Sequence, residues 1–455
     1  MRLGGFRLGL AICWVSLAMP LQAAESFYHP PRSYGSTRDP DPPRYVKPNW
    51  IEGWDLGLDY RLRAEYHQDD LRQSEGGVDT PLLHRTRLYL GLHDLLDPFR
   101  FAVELQDARR EHSRFERNER DVNELQLIRL YAGLHFQDLL GHDAGGNARP
   151  LWVRYGIHNL EFLDRRLLAN NQWRNTTNTF QGVHASMGQE SNDWQLEYLG
   201  AQPMQRRKYE WDQVEAGRWL HALVGHYRGL GQAATLEPFY LGLLQEARPG
   251  IQARRVHGFG LRAYGVMGQS PWDYDLDLVL QRGQDGPRDL RAYGGNAELG
   301  YCWLHSPGKP RFSAFYGYAS GDRDPNDGVD QRFEKFYGFG RPWSAADYGS
   351  FENLHAPKLR LEVEPHRVLR VDAGWGGYWL ASSRDRFKAA NLRDQTGASG
   401  SHLGQELDAR LRWQASSKLE MTLGYSHFFC GGFVQQQLQR RSTEFLYLEV
   451  QIKAF

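Results

Sequence analysis

Residues 54–65 read Trp54-Asp55-Leu56-Gly57-Leu58-Asp59-Tyr60-Arg61-Leu62-Arg63-Ala64-Glu65. Trp54, Leu56, Leu58, Tyr60, Leu62 and Ala64 share one parity. Asp55, Gly57, Asp59, Arg61, Arg63 and Glu65 share the other. Alternate side chains of a strand point to opposite faces, so this segment is a strand with one apolar face and one charged face. A tilted membrane strand runs to roughly 9–11 residues, and this one, at 12, is close to that length. Strands of soluble sandwiches average nearer 5–6.

The pattern recurs down the chain. Leu88, Leu90 and Leu92 alternate with Arg87 and Tyr89. Phe99, Phe101, Val103 and Leu105 alternate with Arg100, Glu104 and Gln106. Ile128, Leu130, Ala132 and Leu134 alternate with Arg129 and Tyr131. Leu151, Val153, Tyr155 and Ile157 alternate with Arg154 and His158. The same reading covers Tyr274–Gln281, Lys358–Glu364, Glu406–Trp413 and Leu419–Ser426. Weaker candidates fill the gaps, and those in 219–244 have mixed faces. About 18 strands result.

The connections supply an independent check. Links after odd-numbered strands are long, near 67–84, 107–123, 159–179, 201–218, 320–353, 382–402 and 430–443. Links after even ones are mostly short, as at Asp94–Pro98, Gly188–Asp193 and Ala415–Lys418; residues 135–150 are an exception. Outer-membrane barrels have short periplasmic turns and longer extracellular loops. The expected fold is therefore all-β: a closed antiparallel transmembrane β-barrel of 18 strands. Closure follows because an open sheet edge in lipid leaves unpaired backbone groups. The charged faces must then point inward, into a wet lumen.

Composition agrees. The chain has 455 residues, 55 basic and 55 acidic, with 13 % aromatics and 48 glycines. Its mean hydropathy of −0.64 excludes a bundle of membrane helices. Residues 1–23 read as a secretory signal peptide: Arg2 and Arg7, an apolar run, then Gln22-Ala23-Ala24. Residues 24–50 form a Pro-rich N-terminal tail, and 51–455 the barrel. The balance of charge leaves no nucleic-acid footprint. No metal-ligand spacing appears, and no cofactor is expected. The last strand ends at Phe455, whose parity disagrees with Leu446, Leu448, Val450 and Ile452; a one-residue bulge near Lys453-Ala454 would restore it.

Several segments resemble the alginate-export family of outer-membrane porins, over roughly 55–455. Gly156 and Leu160 match the family's Gly-Arg-Gln then Leu, without its Arg and Gln. Arg166-Leu167, Trp173, Asn175 and Phe180-Gln181-Gly182-Val183 follow. Tyr318-Ala319-Ser320-Gly321-Asp322 resembles the family's Tyr-Ala-Ser-Gly-Asp, followed by Pro325, Asp327, Phe336, Tyr348-Gly349 and Asn353. Gly404-Gln405-Glu406-Leu407-Asp408 and Gly424-Tyr425-Ser426-His427-Phe428 complete the series. The resemblance implies a barrel passing anionic polysaccharide or small anionic solutes through an Arg-rich lumen that long loops partly occlude. Outer-membrane lipid is then a partner, a periplasmic export partner is open, and the protein is expected to be a monomer.

Arginine outnumbers lysine 47 to 8. Arg61, Arg63, Arg87, Arg129, Arg154, Arg262, Arg360, Arg410 and Arg412 are expected to face the lumen, where guanidinium groups bind carboxylates through a planar fork. The competing expectation is that most of them pair with Asp59, Glu65, Glu104, Asp277, Glu362, Glu406 and Asp408 on neighbouring strands. The loop motif Ser320, Gly321 and Asp322, with Asn353, reads as a turn rather than a nucleophile. An alternative function is a membrane-embedded or secreted all-β enzyme acting on lipid or glycan; no linked Ser/His/Asn pattern supports it.

Overall fold

A computed structural model describes residues 53–454 apart from Asp94 and Gln269. The signal-peptide and tail assignments and Phe455 lie outside the described residues. Eighteen principal strands follow one another: β1 (Trp54–Gln68), β2 (Leu82–Leu92), β3 (Phe99–Glu111), β4 (Asn123–Phe136), β5 (Leu151–His158), β6 (Phe180–Met187), β7 (Trp194–Gln205), β8 (Arg218–Tyr227) and β9 (Thr235–Gln245) make the first half. The second half is β10 (Arg254–Val266), β11 (Trp272–Asp285), β12 (Arg288–Cys302), β13 (Arg311–Ala319), β14 (Leu354–His366), β15 (Leu369–Trp379), β16 (His402–Ser416), β17 (Leu419–Cys430) and β18 (Ser442–Lys453). Each pairs antiparallel with its sequence neighbours. β18 also pairs with β1, from Gln68 opposite Glu444 to Asp59 opposite Lys453, and this seam closes the barrel. The register is unbroken to Lys453, so no bulge lies in the paired part of β18.

The parity of the sequence is the parity of the wall. Leu88, Phe101, Leu278, Leu361, Leu407 and Leu448 are exposed on the outside, while Asp59, Arg61, Arg63, Glu104 and Asp277 are buried inside. Ile128 is the correction. It was expected outside with Leu130, but β4 slips register against β3 between Glu104–Arg129 and Leu105–Leu127, and Ile128 turns inward. A bulge of this kind shifts parity by one residue.

Long and short connections alternate as expected, with two departures. Residues 286–287 make a two-residue turn at the long-loop end. Residues 137–150 project from the short-turn end rather than folding into the lumen; Asp143 Oδ2 accepts Asn192 Nδ2 of the next turn at 2.9 Å.

The lumen is not left to water alone. Two long loops, 159–179 and 320–353, fold inside the barrel. They bring Leu160, Phe162, Leu167, Leu168, Phe333 and Phe351 into one apolar cluster with the inward Leu199, Leu220, Leu241, Leu243, Val256 and Val279 of β7–β11. The mixed faces of 219–244 are thereby explained: those strands need apolar residues on both sides, one for lipid and one for the loops. The loops also pair with each other. Tyr337 N donates to Leu167 O at 3.0 Å, and Ala169 N to Tyr337 O at 3.3 Å. Gly338 is required at this crossing, because a Cβ there would lie 1.7 Å from Arg166 O.

Leu278 is 59 % exposed in the middle of β11. Leu278→Arg is expected to destabilise the barrel by about 2–4 kcal/mol, the cost of a lipid-facing Arg near the midplane. The check is the shift of the urea unfolding midpoint in lipid vesicles; a loss under about 1 kcal/mol would place Leu278 near the interface instead.

Candidate functional site: the loop-filled lumen

Loop 159–179 is held by arginines of β1 and β2. Arg61 Nη1 donates to Gln172 O at 2.8 Å and its Nη2 to Arg174 O at 2.9 Å. Arg63 Nη1 donates to Trp173 O at 2.6 Å, while its Nε holds Glu65 at 2.7 Å. Arg85 Nη1 reaches Gln172 O at 3.0 Å. Arg87 Nη1 donates to the Gln172 side-chain oxygen at 2.7 Å. Trp173 is clamped between two guanidinium groups, Arg63 at 4.0 Å and Arg341 of loop 320–353 at 3.8 Å from its centroid. Asn175 closes the attachment, donating from Nδ2 to the carbonyls of His84, Arg109 and Asp121. A loop buried this deeply exposes carbonyls that no strand satisfies, and a guanidinium offers five donors.

The neighbourhood of these groups is strongly cationic. Glu449 of β18 is one anionic counterweight, 3.6 Å from Arg61 and 3.2 Å from Arg63; Asp347, in loop 320–353, is another, bonded by Arg174 at 3.1 Å. Burial alone would raise its pKa; Arg174, Arg72 and Arg120 hold it below the usual carboxylate range. Lys335 on the same loop is pulled down to about 8 by burial, with Arg174 and Lys388 adding repulsion against the pull of Glu352.

The remaining predicted lumen residues lie elsewhere, in a girdle of ion pairs around β6–β16. His184 and His226 both reach Glu197, at 3.5 and 3.1 Å. His226 also reaches Glu237, which Arg262 joins at 3.1 Å. Arg262 takes Asp275 at 2.6 Å. The register sets Arg262 opposite Asp277, yet the bonds go diagonally to Asp275, and Asp277 Oδ1 is left without a hydrogen bond. Arg311 gathers Asp273, Glu298 and Glu362. Arg360 pairs with Asp372 at 2.5 Å and Asp408 at 2.8 Å; Arg410 and Arg412 approach the same Asp372 at 3.0 and 3.7 Å. The nine predicted arginines therefore form two groups: Arg61, Arg63, Arg87, Arg129 and Arg154 beside loop 159–179, and Arg262, Arg360, Arg410 and Arg412 in the girdle.

Asp277 is one of three acids that depart from the expected pairing. Asp59 accepts Gln451 Nε2 at 2.6 Å and has no ion pair with an arginine among the described residues. Glu406, 1 % exposed, binds the inserted loop instead. It accepts Ala345 N at 3.1 Å, Ala346 N at 2.9 Å, Ser344 Oγ at 3.2 Å, Tyr378 OH at 2.8 Å and Ser426 Oγ at 2.6 Å. The loop motif is a brace. Ser320 Oγ accepts Tyr293 N, Asp322 takes Arg288 at 2.9 Å, and Asn353 bonds Ser382 both ways. Gly321 leaves room for Asn353 Oδ1, which would lie 1.9 Å from a Cβ. Arg85 and Arg341 were missed. Arg85 continues the parity of Arg87 by one step, a signal available in the sequence; Arg341 is in a loop without periodicity.

Beside loop 159–179 remains a cavity of about 220 Å³. Its wall side carries Arg87, Glu104, Arg129, Arg154, His184 and Glu197; its loop side carries Asn159, Phe162, Asn170 and Gln172. Arg129 is bonded to Glu104 at 3.1 Å. Arg154 lies over the rings of Trp152, at 4.2 Å, and Tyr131, at 4.8 Å.

A family model described as Alginate export matches residues 53–447. No curated protein matches the sequence. Among solved structures, Pseudomonas aeruginosa OpdK, solved with vanillate, is similar with a TM-score of 0.59 and 13 % identity, over 88 % of this chain and 98 % of that one. Pseudomonas aeruginosa OccD3 (OpdP) is similar with a TM-score of 0.58 and 12 % identity, over 89 % and 91 %. Acinetobacter baumannii OccAB1 gives 0.58 and 10 %, over 89 % and 98 %. At these identities the likeness is one of fold.

Glu406→Ala is expected to strand the buried Ala345 and Ala346 N–H groups, at about 3 kcal/mol. Limited proteolysis of the membrane-inserted protein should then cut within 340–347, where the parent resists. Unchanged resistance would mean that the aromatic contacts alone hold the turn.

Proposed function

The chain belongs to the alginate export family, and from that membership we propose that it is an outer-membrane channel for small anionic solutes, which pass beside the inserted loops along the arginines of β1–β5. The observation that carries the reading is the set of buried guanidinium groups of Arg61, Arg63, Arg85, Arg87 and Arg129, gathered on one side of a lumen narrowed by loop 159–179. Rings of arginine select anions in pores. Their pairing with carbonyls and a few acids orients them while leaving the local charge positive.

The inserted loops favour a small solute. They meet through backbone hydrogen bonds and a dry cluster, so a polysaccharide chain would require both to withdraw. Passage of an anionic polysaccharide is the second reading, favoured by the family's description. In either case the protein reaches the outer membrane through the periplasm, after cleavage following Ala23, and no catalytic step is assigned to it.

Single-channel recording in a planar bilayer tests the reading, and chloride is expected to permeate better than potassium. Arg154→Ser should lower that preference, whereas Arg61→Ser with Arg63→Ser should raise conductance as well by loosening loop 159–179. A cation-selective parent, or one with no conductance, would sink the proposal. Between pH 7 and 9 anion preference should fall, because Lys335 loses its proton near 8; in Lys335→Gln this part of the pH dependence should vanish.

A further inference from the structure

We propose that the lipid-facing surface of β12–β15 holds one molecule of a phosphorylated glycolipid of the outer leaflet, its headgroup beneath loop 382–402 and an acyl chain along the wall below. The site lies outside the lumen and does not depend on what passes through it; it rests on the barrel's place in the outer membrane.

Two hollows in the outer wall meet at Tyr316. The upper one, of about 640 Å³, lies at the long-loop end, which is the extracellular end. Tyr316, His355, Pro357 and Trp379, all of outward parity, form its wall, and Ser383 and Ser401 of the overlying loop add hydroxyls. The lower one, of about 450 Å³, is an apolar trough over Ala297 and Ala314, flanked by Leu276 and Leu299. The register sets Ala297 opposite Tyr316 and Ala314 opposite Leu299, so two small side chains on adjacent strands leave a gap in a row of large ones. From Ala319, at the top of β13, down to Ala314 is about 17 Å of strand. A tilt of roughly 45° makes that about 12 Å of depth, within the ~15 Å of one leaflet. A cleft with hydroxyls above an apolar trough matches the two ends of a membrane lipid.

Charge identifies the headgroup. Residues 381–401 carry four basic side chains and two acids. Asp385 is taken by Arg332, and Arg386 bonds Glu352, which also attracts Lys388. Asp394 keeps its carboxylate within its own turn, accepting Thr396 N at 2.9 Å and Ser399 N at 2.7 Å. Arg384 and Arg393 remain, both exposed, and neither has an ion pair among the described residues. Arg384 follows Ser383 at the cleft, and Arg393 Nε donates to Arg384 O at 3.0 Å, so both stand beside the same rim. Guanidinium groups take phosphate through paired donors. The cleft is far larger than a phosphate needs, with room for about twenty waters at ~30 Å³ each. Its aromatic side chains are fixed in place: Tyr316 OH is bonded to His355 Nδ1 at 2.7 Å, and Trp379 stacks on His402 at 5.2 Å between centroids. Rings with a polar edge at the membrane boundary, beside serine hydroxyls, suit a sugar.

The full-length protein in non-ionic detergent is titrated with bisphosphorylated lipid A, with its dephosphorylated form or with phosphatidylglycerol, and bound lipid is counted by native mass spectrometry. The parent should retain one lipid A in preference to the other two. Arg384→Gln with Arg393→Gln should weaken that retention about tenfold, through loss of charge-assisted hydrogen bonds. Ala314→Trp, which fills the trough from the lipid side, should weaken it independently. Unheated migration on SDS gels checks that each variant is still a closed barrel. Failure of the parent to retain lipid A, or retention unchanged in the arginine variant, would overturn the site. Equal retention of phosphatidylglycerol would overturn the glycolipid as its occupant, and retention unchanged in Ala314→Trp would overturn the placement of the acyl chain.

Discussion

In hydrocarbon a backbone N–H or C=O has no solvent to bond, so every one in the spanning region must find a partner within the chain. Closure of β1 on β18 meets that demand for the wall. The closed wall then has two faces with opposite needs, and the period-2 sequence supplies them. A wall of 18 strands encloses more space than side chains alone can fill. The interior therefore has to be occupied by water or by chain, and here loops 159–179 and 320–353 enter it.

The same demand for partners returns inside, under different chemistry. The inserted loops have no ladder to complete their carbonyls, and the arginines of β1 and β2 take that role. Glu406 does the converse, accepting loop N–H groups. Charged side chains on the inner face thus hold the inserted loops in place. The girdle from His184 to Arg412 joins acids and bases across neighbouring strands and needs no loop at all. These two uses divide arginines that look alike in the sequence.

Much of the wall was legible because strand alternation is local. Trp54–Glu65 declares its outer and inner faces without reference to any other segment, and the long and short links declare the two ends of the barrel. Ile128 was misread because a bulge is a property of two strands in register, not of one. The apolar inner face of Leu220, Leu241 and Leu243 looked irregular for the same reason: its counterpart, Phe162 or Phe333, lies in a distant loop. Of the candidate site, the inward arginines could be named from parity, and with them strand partners such as Glu65, Glu104 and Asp408, but not the loop carbonyls that Arg61 and Arg63 hold.

The sequence by itself determined a closed all-β barrel, the face most of its strands turn to lipid, and the family to which the chain belongs. These follow from the spacing of residues along single segments and from motifs in order. Only the tertiary structure decided what fills the lumen and which arginines serve it. Arg61 meets Gln172 O, and Glu406 meets Ala346 N, across 111 and 60 positions of chain. Contacts at that separation leave no period in the sequence, because they depend on where a loop comes to rest after the wall has closed.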